Sequence, residues 1–112
     1  MYLDDLSTPC ALVDLDRLER NAARMADKAR RLGVRLRPHV KTHKCVEAAR
    51  IQTVDAFGGI TVSTLAEARA FAAEGFTDIT YAVPIAPQKI AEAEGLPMHA
   101  RAVRERLERG KW

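Results

Sequence analysis

The segment Arg37-Pro38-His39-Val40-Lys41-Thr42-His43-Lys44 decides how the rest of this chain is read. It closes a run from Val34 to Val40 that has the composition of a β-strand. Arg37, His39 and Lys41 alternate with Leu36, Pro38 and Val40, and alternate residues of a strand point to opposite faces. One face is therefore apolar. The other carries a guanidinium, an imidazole and, at its C-terminal end, a primary amine. An ordinary core strand does not spend three positions this way, because a buried polar group costs free energy unless it finds a partner. An uncharged lysine amine on such a face is a candidate Schiff-base nucleophile. The bland alternative is an exposed lysine just past the end of a strand.

The flanking sequence gives that strand a setting. Upstream, Thr8-Pro9 leads into Cys10-Ala11-Leu12-Val13, which reads as a first buried strand. Asp16 has the place of a helix N-cap, with Glu19 three residues on as a capping-box partner. Leu18, Ala22, Met25, Ala29 and Leu32 recur at helical spacing, and Gly33 suits the left-handed residue that ends a helix. Strand, helix and return strand make a right-handed βαβ unit. Downstream, Thr42 is a candidate cap for a helix from about His43 to Val54, although Val46, Ala49 and Ile51 form no single stripe. Gly58-Gly59 opens a third strand, Ile60 to Val62. Thr64 caps a third helix with Glu67 as its box partner, Leu65, Ala68, Phe71 and Ala72 as the buried face, and Gly75 at the close. Asp78 to Val83 is a fourth short strand, and Pro87 fits the first turn of a fourth helix.

Strands alternating with helices predict an α/β protein with a parallel sheet. The repeat suits the first four or so βα units of a (β/α)8 TIM barrel, which needs about 250 residues in full. The chain has 112 residues, so a partial barrel over residues 1–91 is the predicted domain. Residues 92–112 read as a divergent charged tail, helical from Met98 to Arg109. That tail also locates the net charge of +3: residues 98–112 carry five basic groups and two acidic ones, and the remainder is balanced. Mixed Arg and Glu along a helix reads as a solvated face rather than a nucleic-acid surface. The low aromatic content, 5%, also argues against a base-stacking platform. Cys10 and Cys45 have neither metal nor redox spacing, so reduced thiols and a cytoplasmic setting are expected. No signal peptide or membrane span is visible, and no membrane partner is expected.

The Arg37 to Lys44 segment resembles the pyridoxal-lysine segment of the D-threonine aldolase and D-serine dehydratase family. These are fold-type III pyridoxal phosphate enzymes related to the alanine racemase barrel. The likeness runs from about Leu6 to Lys89 and includes Ser7-Thr8-Pro9, Val13-Asp14-Leu15-Asp16 and Gly59-Ile60-Thr61-Val62-Ser63-Thr64 followed by Glu67-Ala68. Where the family usually has a glycine before its third strand, this chain has Asp55-Ala56-Phe57.

The resemblance implies a lyase acting on small D-β-hydroxy amino acids, aldolase-like or dehydratase-like, with Lys41 as the catalytic lysine that holds pyridoxal phosphate. It further implies a divalent metal, zinc or manganese, whose ligands lie outside this chain. Arg37, His39, Thr61 and Tyr81 are candidate cofactor contacts, and His43 a candidate substrate contact. Each has a structural alternative: a carboxylate partner for Arg37, hydrogen bonding for the histidines, barrel packing for Thr61 and Tyr81. A rival reading makes the chain a non-catalytic remnant or assembly module, and another a pyridoxal-phosphate-binding carrier relative. An open half-barrel leaves strand edges unpaired, so a homo-oligomer or a separate C-terminal part is expected to cover them.

Overall fold

The structure is a computed structural model and describes residues 2–54 and 59–97. Helix α1 (Leu15–Leu32) leads by a 3-10 turn (Val40–Thr42) to helix α2 (Val46–Thr53). Strand β1 (Ile60–Val62), helix α3 (Leu65–Ala73), strand β2 (Ile79–Tyr81) and helix α4 (Pro87–Glu92) follow. The two strands are parallel, with Ile60 opposite Ile79, Thr61 opposite Thr80 and Val62 opposite Tyr81. A parallel pair joined by a helix is the repeating unit of an α/β barrel wall.

The core lies between this sheet and its helices. Val40, Ala49, Ile60, Val62, Ala68, Phe71, Phe76 and Ile79 form one buried cluster. Phe71 and Phe76 meet edge to face, with ring centroids 5.4 Å apart, and the Arg50 guanidinium lies over Phe76. Together these contacts fix α2 and α3 to the outer face of the strands, which leaves the other face of the sheet for the site.

The predicted element ends are partly met. Gly33 closes α1 in the left-handed region at φ 64°, where a side chain would be strained. Thr64 caps α3, and Pro87 opens α4. The start of α1 differs: Asp14, not Asp16, is the N-cap, and its carboxylate accepts the Arg17 amide at 2.9 Å. The start of α2 differs as well. Lys44 sits at φ 49°, which breaks the helical path after Thr42, so α2 begins at Val46 with Cys45 as its N-cap.

Two predicted strands are not formed as such. Residues 10–13 carry no regular secondary structure and are exposed, and Val34 to Val40 is reduced to one parallel bridge, His39 to Thr61. A strand is held by its neighbours, and among the described residues these two segments do not pair with one another. As a result Leu12, Val13, Leu15, Leu32 and Val34 are all more than half exposed. The Asp55-Ala56-Phe57 loop and the helix predicted over Met98 to Arg109 lie outside the described residues.

Candidate functional site

In a parallel α/β sheet, ligands bind beyond the C-terminal ends of the strands. The register fixes which side chains reach that end. The bridge places His39 beside Thr61, and Thr61 is opposite Thr80, so these three share a face of the sheet. It is the face away from the core, since Ile60, Val62 and Ile79 point the other way and are buried. Two residues beyond His39, the 3-10 turn carries Lys41 past the strand ends. Lys41 is thus presented by a turn rather than by strand alternation. Its amide donates to His39 Nδ1 at 3.3 Å, which makes His39 the cap of the turn.

Lys41 is exposed, and among the described residues its ammonium forms no ion pair. The other lysine of the motif is occupied: Lys44 Nζ lies 3.5 Å from Glu67 Oε1. Glu67 is the one charged side chain buried among the described residues, at 7% exposure. Its Oε2 accepts the Ser63 amide at 2.9 Å and the Ser63 hydroxyl at 3.2 Å. The predicted capping box is therefore shifted. Thr64 Oγ1 accepts the Glu67 amide at 3.0 Å as expected, but the Glu67 carboxylate reaches the residue before the cap.

Burial opposes the Glu67 charge, but the Ser63 amide and hydroxyl and the Lys44 ammonium outweigh it and hold this carboxyl below its ordinary value. Such a group binds protons more readily in the unfolded chain. Its contribution to stability is full above the unfolded pKa and is lost as pH falls through the lower, folded one. Urea midpoints measured down through the acid range are expected to fall faster for the native chain than for Glu67→Gln. Parallel curves would show that this carboxyl does not couple folding to protons.

The other candidates divide. Thr61 lies on the site face, half-buried. Tyr81 does not: it is opposite Val62 and packs against the hydrophobic core, on the helix-facing side. Arg37 is at the other end of the strands. Its guanidinium donates to Ile60 O at 3.4 Å, Asp78 O at 3.0 Å and Asp78 Oδ2 at 2.7 Å, all at the N-terminal start of β1 and β2. It meets the carboxylate alternative and closes the bottom of the sheet, away from Lys41.

His43 is near the turn but held on both ring nitrogens. Nδ1 accepts the Cys45 amide at 3.1 Å, and Nε2 faces Gln52 Oε1 at 3.0 Å. The amide requires an unprotonated Nδ1, so the proton sits on Nε2 and is donated to Gln52. Glu67 and Ser63 were not among the sequence candidates for the site. The Thr64–Glu67 spacing pointed to a helix cap, and nothing local in sequence signals a contact with Lys44, 23 residues away.

The exposed amine of Lys41 fits the covalent anchor that pyridoxal phosphate requires. Among the described residues no three His, Cys, Asp or Glu side chains gather in a way that could hold a metal ion. Nor is any described helix long and apolar enough to cross a membrane.

Comparison with known proteins matches residues 13–101 to the alanine racemase N-terminal domain. The chain is 54% identical over 88 residues to D-threo-3-hydroxyaspartate dehydratase of Delftia sp. (strain HT23), covering 79% of this chain and 23% of that enzyme. It is 43% identical over 96 residues to D-serine dehydratase of Dictyostelium discoideum, covering 81% and 24%. It is 40% identical over 74 residues to D-threonine aldolase of Arthrobacter sp, covering 66% and 20%. The solved structure of the Delftia dehydratase superimposes with a TM-score of 0.78 at 49% identity, over 84% of this chain and 26% of that one. An alanine racemase-like protein from Idiomarina loihiensis gives 0.76 at 36% identity, over 95% and 32%. A mutant of the Delftia enzyme solved in a metal-free form also matches. The chain spans about a quarter of the length of the curated relatives it matches, and it corresponds to the N-terminal part of their barrel.

Proposed function

Because the chain belongs to the alanine racemase N-terminal domain family, we propose that it is the lysine-bearing first part of a pyridoxal-phosphate-dependent lyase for D-β-hydroxy amino acids. The observation that carries the reading is the contrast within one motif: Lys44 is tied to a buried carboxylate, whereas Lys41, three residues earlier, is exposed and unpaired among the described residues. Lys41 is the residue that would hold pyridoxal phosphate. When bound, that cofactor supplies an electron sink for breaking a bond at the substrate's α or β carbon. His39 braces the lysine turn from within, and Thr61 offers a hydroxyl on the same face. Arg37 and Tyr81 hold the sheet together rather than touch the cofactor, and His43 orders the approach to α2.

The relatives support the proposed substrate class: by name they act on D-serine, D-threonine and 3-hydroxy-D-aspartates. All are D-amino acids with a hydroxyl on the β carbon. A divalent metal, zinc or manganese, belongs to the proposal for the complete enzyme, with ligands from outside the described residues. The free thiols Cys10 and Cys45 support a reducing, cytoplasmic setting. The exposed apolar residues 12, 13, 15, 32 and 34 support burial against further barrel or a second copy.

Incubation with pyridoxal phosphate and D-serine, D-threonine or D-threo-3-hydroxyaspartate tests the reading. The 112-residue chain is expected to take up the cofactor yet release neither pyruvate, glycine nor oxaloacetate. Uptake with no turnover separates the first part of an enzyme from a complete one. Absence of uptake would favour a remnant that keeps only the fold, and turnover by this chain alone would contradict the fragment reading.

A further inference from the structure

We propose that Glu67 and Lys44 are positioning residues that clamp the turn carrying Lys41 to the C-terminal end of β1. The inference rests on the assignment of Lys41 as the pyridoxal lysine and goes beyond it by naming what holds that lysine in place. Glu67 occupies a first-turn position in α3 where a helix cap needs only one hydrogen bond to the cap residue's amide. Here the carboxylate does something else. One oxygen takes both the amide and the hydroxyl of Ser63, the first residue after β1, and the other faces Lys44.

Lys44 ends the lysine turn. Its amide and that of His43 both donate to Val40 O, the former at 2.9 Å. Its backbone is left-handed at φ 49°, a conformation that a lysine does not favour and that needs support from its surroundings. The buried carboxylate supplies such support. An unbroken path thus runs from the end of β1 through Ser63, Glu67 and Lys44 to the turn of Lys41. A plain helix cap would not need a negative charge, a nearly complete burial or a partner 23 residues away in sequence.

The test uses the full chain with pyridoxal phosphate, borohydride reduction and peptide mapping, alongside amide hydrogen exchange. Glu67→Gln keeps an acceptor for Ser63 but loses the charge, and Lys44→Gln removes the other end from a solvent-exposed position. Each is expected to lower the label on Lys41 by about fivefold, since small misplacements of a reacting group cost rate steeply. The double variant is expected to be no worse than either single one. Thr64→Ala is the control: it removes the α3 cap without touching Lys44, so it should lower stability and leave the label on Lys41 unchanged. Exchange at the His43 and Lys44 amides should speed up in both glutamine variants and stay unchanged in Thr64→Ala.

Unchanged labelling and unchanged exchange in Glu67→Gln and Lys44→Gln would overturn the clamp, as would equal loss of label in Thr64→Ala. If the native chain shows no selective label on Lys41, the assignment of that lysine has failed. The exchange rates then decide the clamp separately, acceleration supporting it and native rates contradicting it.

Discussion

Lys41→Met is expected to reduce capture of pyridoxal phosphate by about tenfold or more, because the covalent anchor is a single primary amine. Lys41 is exposed, so the substitution should leave the fold intact and its unfolding free energy in urea within about 0.5 kcal/mol of the native one. Lys89→Met provides the comparison. That lysine is also exposed, on the short α4 and outside the Arg37 to Lys44 motif, so its loss should leave capture unchanged. The absorbance of the bound cofactor reads both variants directly. If Lys41→Met and Lys89→Met lose capture equally, the amine of the motif is only one surface lysine among others.

The second large effect is structural and falls at the opposite end of the strands. Gly59 precedes β1, and a Cβ there would run into the Arg37 guanidinium: Nη1 is nearest, with Cζ and the Asp78 Oδ2 both at 2.7 Å. That guanidinium is held by the Asp78 carboxylate and by the carbonyls of Asp78 and Ile60, so it has little room to yield. Gly59→Ala should therefore cost about 2–4 kcal/mol, the sum of overpacking and a disturbed, partly buried ion pair. Removing the obstacle tests the cause. In the Arg37→Met background, Gly59→Ala should cost much less, and chemical denaturation of the four chains of this double-mutant cycle measures the coupling. A loss that is the same in both backgrounds would mean that the close approach of Arg37 is not why residue 59 is glycine.

These two predictions mark the two ends of the sheet, and the ends were not equally legible in sequence. The helix limits that depend on one residue's local chemistry could be read: Gly33 for a left-handed stop, Thr64 for a cap, Pro87 for a first turn. Ile60 to Val62 could be read as well, because Ile60 and Val62 are buried while Thr61 alternates with them. Cys10 to Val13 could not, since a strand is an agreement between neighbours and its own apolar residues only propose one. The α2 boundary was missed because a positive φ at a lysine has no sequence signal.

The site shows the same division. Lys41 stood out through its motif. The fate of Arg37 depended on Asp78, 41 residues away, and that of Tyr81 on the register of β2 against β1. In sequence Glu67 reads only as a helix cap, and its contact with the turn of Lys44 is made across 23 residues. Long-range pairing thus assigned each of these side chains to an end and a face of the sheet, and only one of the three, Glu67, lies with Lys41.

Borohydride reduction of the native chain with pyridoxal phosphate, followed by residue-level mapping of the label, tests the central claim most directly. The account predicts one dominant site, Lys41, with Lys44 protected by its carboxylate partner. Label spread evenly over the exposed lysines, or concentrated on Lys44, would contradict it.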